Sequence, residues 1–104
     1  MRKTIKYFQE RKQQGEKFSC LTAYDSSFAQ LMEESNVECL LVGDSLGMVI
    51  KGEESTLGVT IEEMIYHTKN VSRNTSSVFI MSDLPFGVCG SLEQSYTEIG
   101  RAHV

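Results

Sequence analysis

The chain has 104 residues, 40% of them apolar and 23% charged, with one Pro and eight Gly, the balance of one soluble globular domain rather than a disordered tail or a fibre. Ten Lys and Arg against fourteen Asp and Glu leave a net charge of −4, so there is no basic field to hold a phosphate backbone and no nucleic acid partner is expected. No apolar run approaches the roughly 20 residues that span a bilayer. Met1-Arg2-Lys3-Thr4-Ile5-Lys6 leads into charge instead of a signal-peptide stretch, so the expected compartment is the cytoplasm, with no membrane partner.

Thr4 to Gln14 reads as a short helix capped by Thr4, with Ile5 and Phe8 on one face and Gly15 just past its end. Phe18 to Ala23 is a compact apolar run, a strand, and Asp25 or Ser26 then caps a helix with the stripe Phe28, Leu31, Met32. Cys39-Leu40-Leu41-Val42 lacks in-out alternation and is expected to be buried on both faces, as in a parallel sheet. Gly43-Asp44-Ser45-Leu46-Gly47-Met48 follows, and a loop through Gly52 and Gly58 leads to Thr60-Ile61-Glu62-Glu63, a capping box. The helix it opens turns Ile61, Met64, Ile65 and Val71 inward, with Lys69 and Arg73 at its negative end. Val78 to Ser82 is the third buried run, stopping at Asp83-Leu84-Pro85-Phe86-Gly87, and Ser91-Leu92-Glu93-Gln94 is another capping box. Cys20, Cys39 and Cys89 are odd in number, with no Cys-x-x-Cys pair, and read as reduced core thiols. Met32, Met48, Met64 and Met81 read as core filler.

A helix followed by three strand-helix units implies α/β architecture with a parallel sheet, either a (β/α)8 barrel or a doubly wound open sheet. A barrel takes about 250 residues, so this chain would be the N-terminal part of one. Ile99-Gly100-Arg101-Ala102-His103-Val104 breaks the helix just begun and matches what one reading frame of a common short-read sequencing adapter encodes. Residues 1–98 are therefore expected to be an incomplete barrel domain and 99–104 a non-native tail.

Asp44 and Asp83 each sit just beyond the C-terminal end of an expected parallel strand, where α/β folds collect ligands. At equivalent positions on strands about 4.8 Å apart, the two carboxylates could approach one divalent cation. Oxygen donors alone favour Mg²⁺ over zinc. Ser45 lies between Gly43 and Gly47, a turn whose backbone could approach a substrate carboxylate. The glycine pattern is too sparse for a dinucleotide fingerprint and lacks the Gly-Lys-Ser/Thr of a P-loop. Gly-Asp-Ser-Leu also names a family of serine esterases, but that reading needs a His base and a Gly-x-Asn-Asp block, and neither is in place. His67 is expected to serve packing or the surface. Tyr24 and Asp25 face the same rim, Asp25 as a helix cap and Tyr24 with an open role in shaping the pocket.

Leu21-Thr22-Ala23-Tyr24-Asp25, Leu41-Val42-Gly43-Asp44-Ser45-Leu46-Gly47-Met48 and Ser82-Asp83-Leu84-Pro85-Phe86, in this order and spacing, resemble the ketopantoate hydroxymethyltransferase family. Ser55-Thr56-Leu57, Val59-Thr60 and Tyr66-His67-Thr68 extend the resemblance over roughly Thr4 to Tyr96. It implies a (β/α)8 barrel of the phosphoenolpyruvate/pyruvate type, Mg²⁺-dependent and homo-oligomeric, typically decameric, acting in pantothenate biosynthesis. The reaction it implies transfers a hydroxymethyl group from 5,10-methylenetetrahydrofolate to 3-methyl-2-oxobutanoate. By motif, Asp44 and Asp83 would bind the metal, directly or through water, and Ser45 with both Asp residues would hold the 2-oxoacid. A substrate-contacting Lys, a further acidic ligand and the Glu general base have no counterpart here. The fragment alone is therefore expected to be at best marginally folded and inactive. The alternatives are another Mg²⁺-dependent 2-oxoacid lyase or mutase of the same barrel superfamily, and a short non-catalytic metal-binding protein.

Overall fold

In the computed structural model, which describes residues 1–87, the chain runs α1 (Ile5–Gln13), β1 (Cys20–Thr22), α2 (Ser26–Glu34), β2 (Cys39–Val42), α3 (Leu46–Val49), α4 (Ile61–Arg73) and β3 (Phe79–Ser82). Cys89, the capping box at Ser91 and the segment Ile99–Val104 lie outside the described residues. The strands form one parallel sheet in the order β1-β2-β3. Helices connect them, α2 packing on α4 and α4 on β2 and β3. This is mixed α/β structure with a small parallel sheet, compatible with part of a (β/α)8 barrel. No helix among the described residues is long and apolar enough to cross a membrane.

Local chemistry sets the boundaries. Asp25 accepts the Phe28 N–H at 2.8 Å and starts α2. Thr60 and Glu63 close the expected capping box at α4 in both directions. Gly15 takes a left-handed φ of 71° directly after α1, a conformation that costs a residue with a Cβ. Thr4 departs from expectation, since its side chain makes no capping bond. The first residues are held instead by long-range contacts described below. The short helix α3 was not evident in the sequence either, because Gly-Asp-Ser-Leu-Gly reads as a turn.

Leu40, Val42, Leu46, Met64, Val71 and Val78 are fully buried between the sheet and the helices. Burial on both faces holds for the central strand β2, where Cys39 and Leu40 are also sealed. It fails for both edge strands, β1, all three of whose residues are exposed, and β3, where Phe79 and Ile80 are only half-buried and Met81 and Ser82 exposed, because among the described residues each has a sheet neighbour on one side only. Cys20 is therefore an exposed thiol rather than a core one, whereas Cys39 is buried as expected. In α2 the inward stripe is displaced. Ala29 and half-buried Met32 face the core, while Phe28 and Leu31 are 59% and 56% exposed on the flank. The small Ala29 lets α2 and α4 approach closely, which turns its larger neighbours away. Met64 is sealed in the core, but Met48 and Met81 are exposed, Met81 beside Ile5 and Phe8 of α1 on the sheet face away from that core.

The connection from α4 into β3 is fastened from two sides. One oxygen of Glu33, Oε2, accepts the N–H groups of Ser76, Ser77 and Val78 at 2.9, 2.9 and 3.0 Å. Arg2 donates to the carbonyls of Thr75 and Val78 at 2.9 and 2.8 Å, and the Lys3 N–H reaches Ser77 O at 2.9 Å. Burial raises the Glu33 pKa, but the three amides and the Ser77 hydroxyl outweigh it and hold the carboxyl below the ordinary Glu range. A lowered folded-state pKa gives stability that is present above the unfolded pKa, about 4.3, and lost as pH falls through the folded value. Glu33→Gln should lower unfolding stability near neutral pH by about 1.5–3 kcal/mol, the range for hydrogen bonds to a charged group. Urea unfolding at pH 7 and at pH 3–5 checks this, with the loss on acidification expected to be smaller in the variant than in the parent chain.

Candidate active site

Parallel pairing brings the carboxyl ends of the strands to one rim. Thr22 pairs with Leu41, and Val42 with Ser82, so the segments leaving β1, β2 and β3 begin side by side. The sheet bonding continues one step further, with Ala23 N–H on Leu41 O and Asp83 N–H on Val42 O, both at 3.0 Å. Asp83 is thus the first residue past β3, whereas Asp44 is the second past β2. Asp44 and Asp83 are neighbours through the Asp44 backbone and are offset by one residue instead of standing at the equivalent positions expected from the sequence. The offset has a direct consequence, since the Asp44 N–H donates to Asp83 Oδ2 at 3.3 Å.

Gly43 stands in the middle of this arrangement. A Cβ built there would lie 3.3 Å from Ser45 Oγ and 3.4 Å from Asp83 Oδ2, so Ser45 and Asp83 flank the same bare stretch of backbone. Ser45 shares a hydrogen bond of 2.5 Å with the hydroxyl of Tyr24, a buried residue arriving from β1. The Tyr24 carbonyl accepts in turn from His67 Nδ1 on α4 at 2.7 Å, which fixes the proton on that nitrogen. His67 is half-buried and holds the Tyr24 backbone by a hydrogen bond, a positioning role beyond the packing or surface role expected from the sequence. It makes no bond to Ser45, so among the described residues the arrangement of a serine esterase is not formed.

The three residues singled out from sequence, Asp44, Ser45 and Asp83, therefore meet at one rim, with Asp44 and Ser45 half-buried and Asp83 exposed. Tyr24 joins them through its hydroxyl, and no local spacing signals that contact across 21 positions. The rim offers carboxylate and hydroxyl oxygens with backbone amides. Among the described residues, no group of three or more His, Cys, Asp or Glu is placed to hold a metal ion. Around the rim, Lys51 joins Glu53 and Glu63 at 2.8 and 2.9 Å, tying the loop after α3 to the start of α4. An apolar cavity of about 340 Å³ lies on the sheet face, lined by Ile5, Phe8, Phe18, Cys39, Phe79 and Met81, and includes none of the rim residues.

The family model described as ketopantoate hydroxymethyltransferase matches residues 2–102. The chain belongs to the ketopantoate hydroxymethyltransferase family. Relatives named 3-methyl-2-oxobutanoate hydroxymethyltransferase include one from Nitrosococcus oceani, 60% identical over 82% of this chain and 32% of its own length. Another, from Clostridium botulinum, is 56% identical over 83% of this chain and 31% of its own. A third, from Clostridioides difficile, is 50% identical over 97% of this chain and 37% of its own. The chain thus spans about one-third of the length of these transferases.

Gly47 shows how tightly the family segment is packed behind the rim. A Cβ there would fall 2.7 Å from Val59 Cγ2 and 3.2 Å from the Ser55 carbonyl oxygen. Gly47→Ala must push α3 off the Ser55–Val59 loop, and the expected cost is about 1–3 kcal/mol, typical of overpacking. Equilibrium urea unfolding reads it. An unchanged midpoint would mean that α3 does not approach the loop this closely.

Proposed function

We propose that this chain supplies the first part of the substrate rim of a transferase that moves a hydroxymethyl group from 5,10-methylenetetrahydrofolate to 3-methyl-2-oxobutanoate, giving 2-dehydropantoate and tetrahydrofolate. The observation that carries the reading is the convergence of Ser45 and Asp83 on either side of Gly43, with Asp44 hydrogen-bonded to Asp83. Family membership and the names of the relatives support the reaction. The parallel sheet supports a (β/α)8 barrel as the complete fold, and a homo-oligomer is part of the same reading.

The donor set fits Mg²⁺. Two carboxylates with hydroxyls leave an incomplete protein shell, and Mg²⁺ characteristically keeps waters and takes substrate oxygens in the remaining positions. Asp44 and Asp83 would hold it, and when bound it would supply Lewis-acid stabilisation of negative charge developing on the keto oxygen. The chain's own residues do the positioning. Either hydroxyl can donate in the Tyr24–Ser45 bond; with Tyr24 as donor, the Ser45 proton is free to be given to a substrate carboxylate oxygen. His67 holds the backbone of Tyr24 and so keeps that hydroxyl aimed. On this reading the general base, the substrate Lys and a further acidic ligand come from other parts of the complete enzyme, and the 104 residues alone turn over no substrate.

The test is a chimaera in which residues 1–87 replace the matching segment of the Nitrosococcus oceani transferase. Its folding is checked by circular dichroism and its turnover measured with 3-methyl-2-oxobutanoate, 5,10-methylenetetrahydrofolate and Mg²⁺. The chimaera should be active, and Asp83→Asn within it should lower kcat/KM by on the order of 100-fold. A folded chimaera without turnover contradicts the proposal.

A further inference from the structure

Cys20 and Cys39 stand directly opposite one another across the parallel β1–β2 pair. Register partners project from the same face of a sheet, and strands about 4.8 Å apart put their Cα atoms within the roughly 4.4–6.8 Å over which disulfides form. Both are free thiols near the start of their strands, away from the rim at the carboxyl ends, and the proposed reaction uses neither. Their surroundings differ. Cys20 is exposed on the edge strand, while Cys39 is sealed on the central strand, against the cavity lined by Phe8, Phe18 and Phe79. Burial first, and then the adjoining Cys20 thiol, push the pKa of Cys39 above the ordinary thiol range. The interaction of the two sulfurs agrees with what the backbone register requires.

We propose that Cys20 and Cys39 are an oxidisable dithiol that closes to an intramolecular disulfide in the presence of a hydroperoxide. Exposed Cys20 attacks as thiolate, forming an S–O bond as the peroxide O–O bond breaks, and becomes a sulfenic acid with release of hydroxide. The Cys39 sulfur then attacks the Cys20 sulfur, and the departing hydroxide takes the Cys39 proton and leaves as water. For hydrogen peroxide, two thiols and one peroxide give one disulfide and two waters. The buried, protonated Cys39 makes the second step the slower one. The closed bridge joins the edge strand to the centre of the sheet, and a dithiol reductant reopens it.

The experiment uses the intact 104-residue chain, reduced and desalted, treated with one equivalent of hydrogen peroxide in native buffer and, in parallel, in concentrated urea. Both samples are then brought to concentrated urea with excess iodoacetamide, so that buried thiols are capped as well, and the chain is weighed. Cleavage after glutamate at Glu33, Glu34 and Glu38 separates the two cysteines, so a link between them is visible as a joined peptide pair. The expected result is a fall from three labels to one, the remaining label on Cys89, and a Cys20–Cys39 link formed several-fold faster in native buffer than in urea. Cys20→Ser, an exposed substitution that leaves the core intact, should keep its two labels under the same treatment. Three retained labels, Cys20 oxidised without a bridge, a predominant link to Cys89, or no advantage over urea would each overturn the proposal.

Discussion

The pairing of β2 with β3, Val42 opposite Ser82, decides where everything at the rim lies. A one-residue slip would turn Leu40 and Val42 from the helix-packed core to the other face of the sheet, so burial of these side chains fixes the register. Once it is fixed, the backbone leaving β2 must pass beside Asp83. The bare Gly43 permits that passage with Ser45 Oγ and Asp83 Oδ2 on either side. The gathering of Asp44, Ser45 and Asp83 is thus a consequence of core packing several residues away, by apolar residues that are not part of the rim.

The opposite end of the sheet is held by charge used locally. Glu33 and Arg2 divide the polar groups of the α4–β3 connection between them, the carboxylate taking amides and the guanidinium taking carbonyls. A backbone segment that would otherwise leave several groups short of partners is thereby satisfied, and β3 enters the sheet in a defined position. The rim and this connection are at opposite ends of the strands, so the proposed substrate site and the fastening of the fold are spatially separate, as is usual in parallel α/β structure.

Much of this was legible in the sequence because it is local. The continuous run Cys39–Val42, the Thr60–Glu63 box and the Asp25 cap each declare themselves within a few residues, and each stands as expected. The gathering of Asp44, Ser45 and Asp83 followed from strand ends alone. What was not legible is set by tertiary contact. The one-residue offset between Asp44 and Asp83 depends on register, and the Tyr24–Ser45 bond on how β1 docks beside β2. The exposure of Cys20, Phe28 and Leu31 depends on which side of an element has a neighbour, and apolar periodicity does not record that.

The most direct test of the account is a titration of the isotope-labelled chain with Mg²⁺ and 3-methyl-2-oxobutanoate together, followed through its backbone amide resonances. Asp44 donates its N–H to the carboxylate of Asp83, the proposed metal ligand, so its resonance reports any new demand on Asp83. Saturable shifts centred on Asp44, Ser45 and Asp83, and lost in Asp83→Asn, are expected. Shifts absent from those residues, or unchanged by that substitution, would contradict the proposed site.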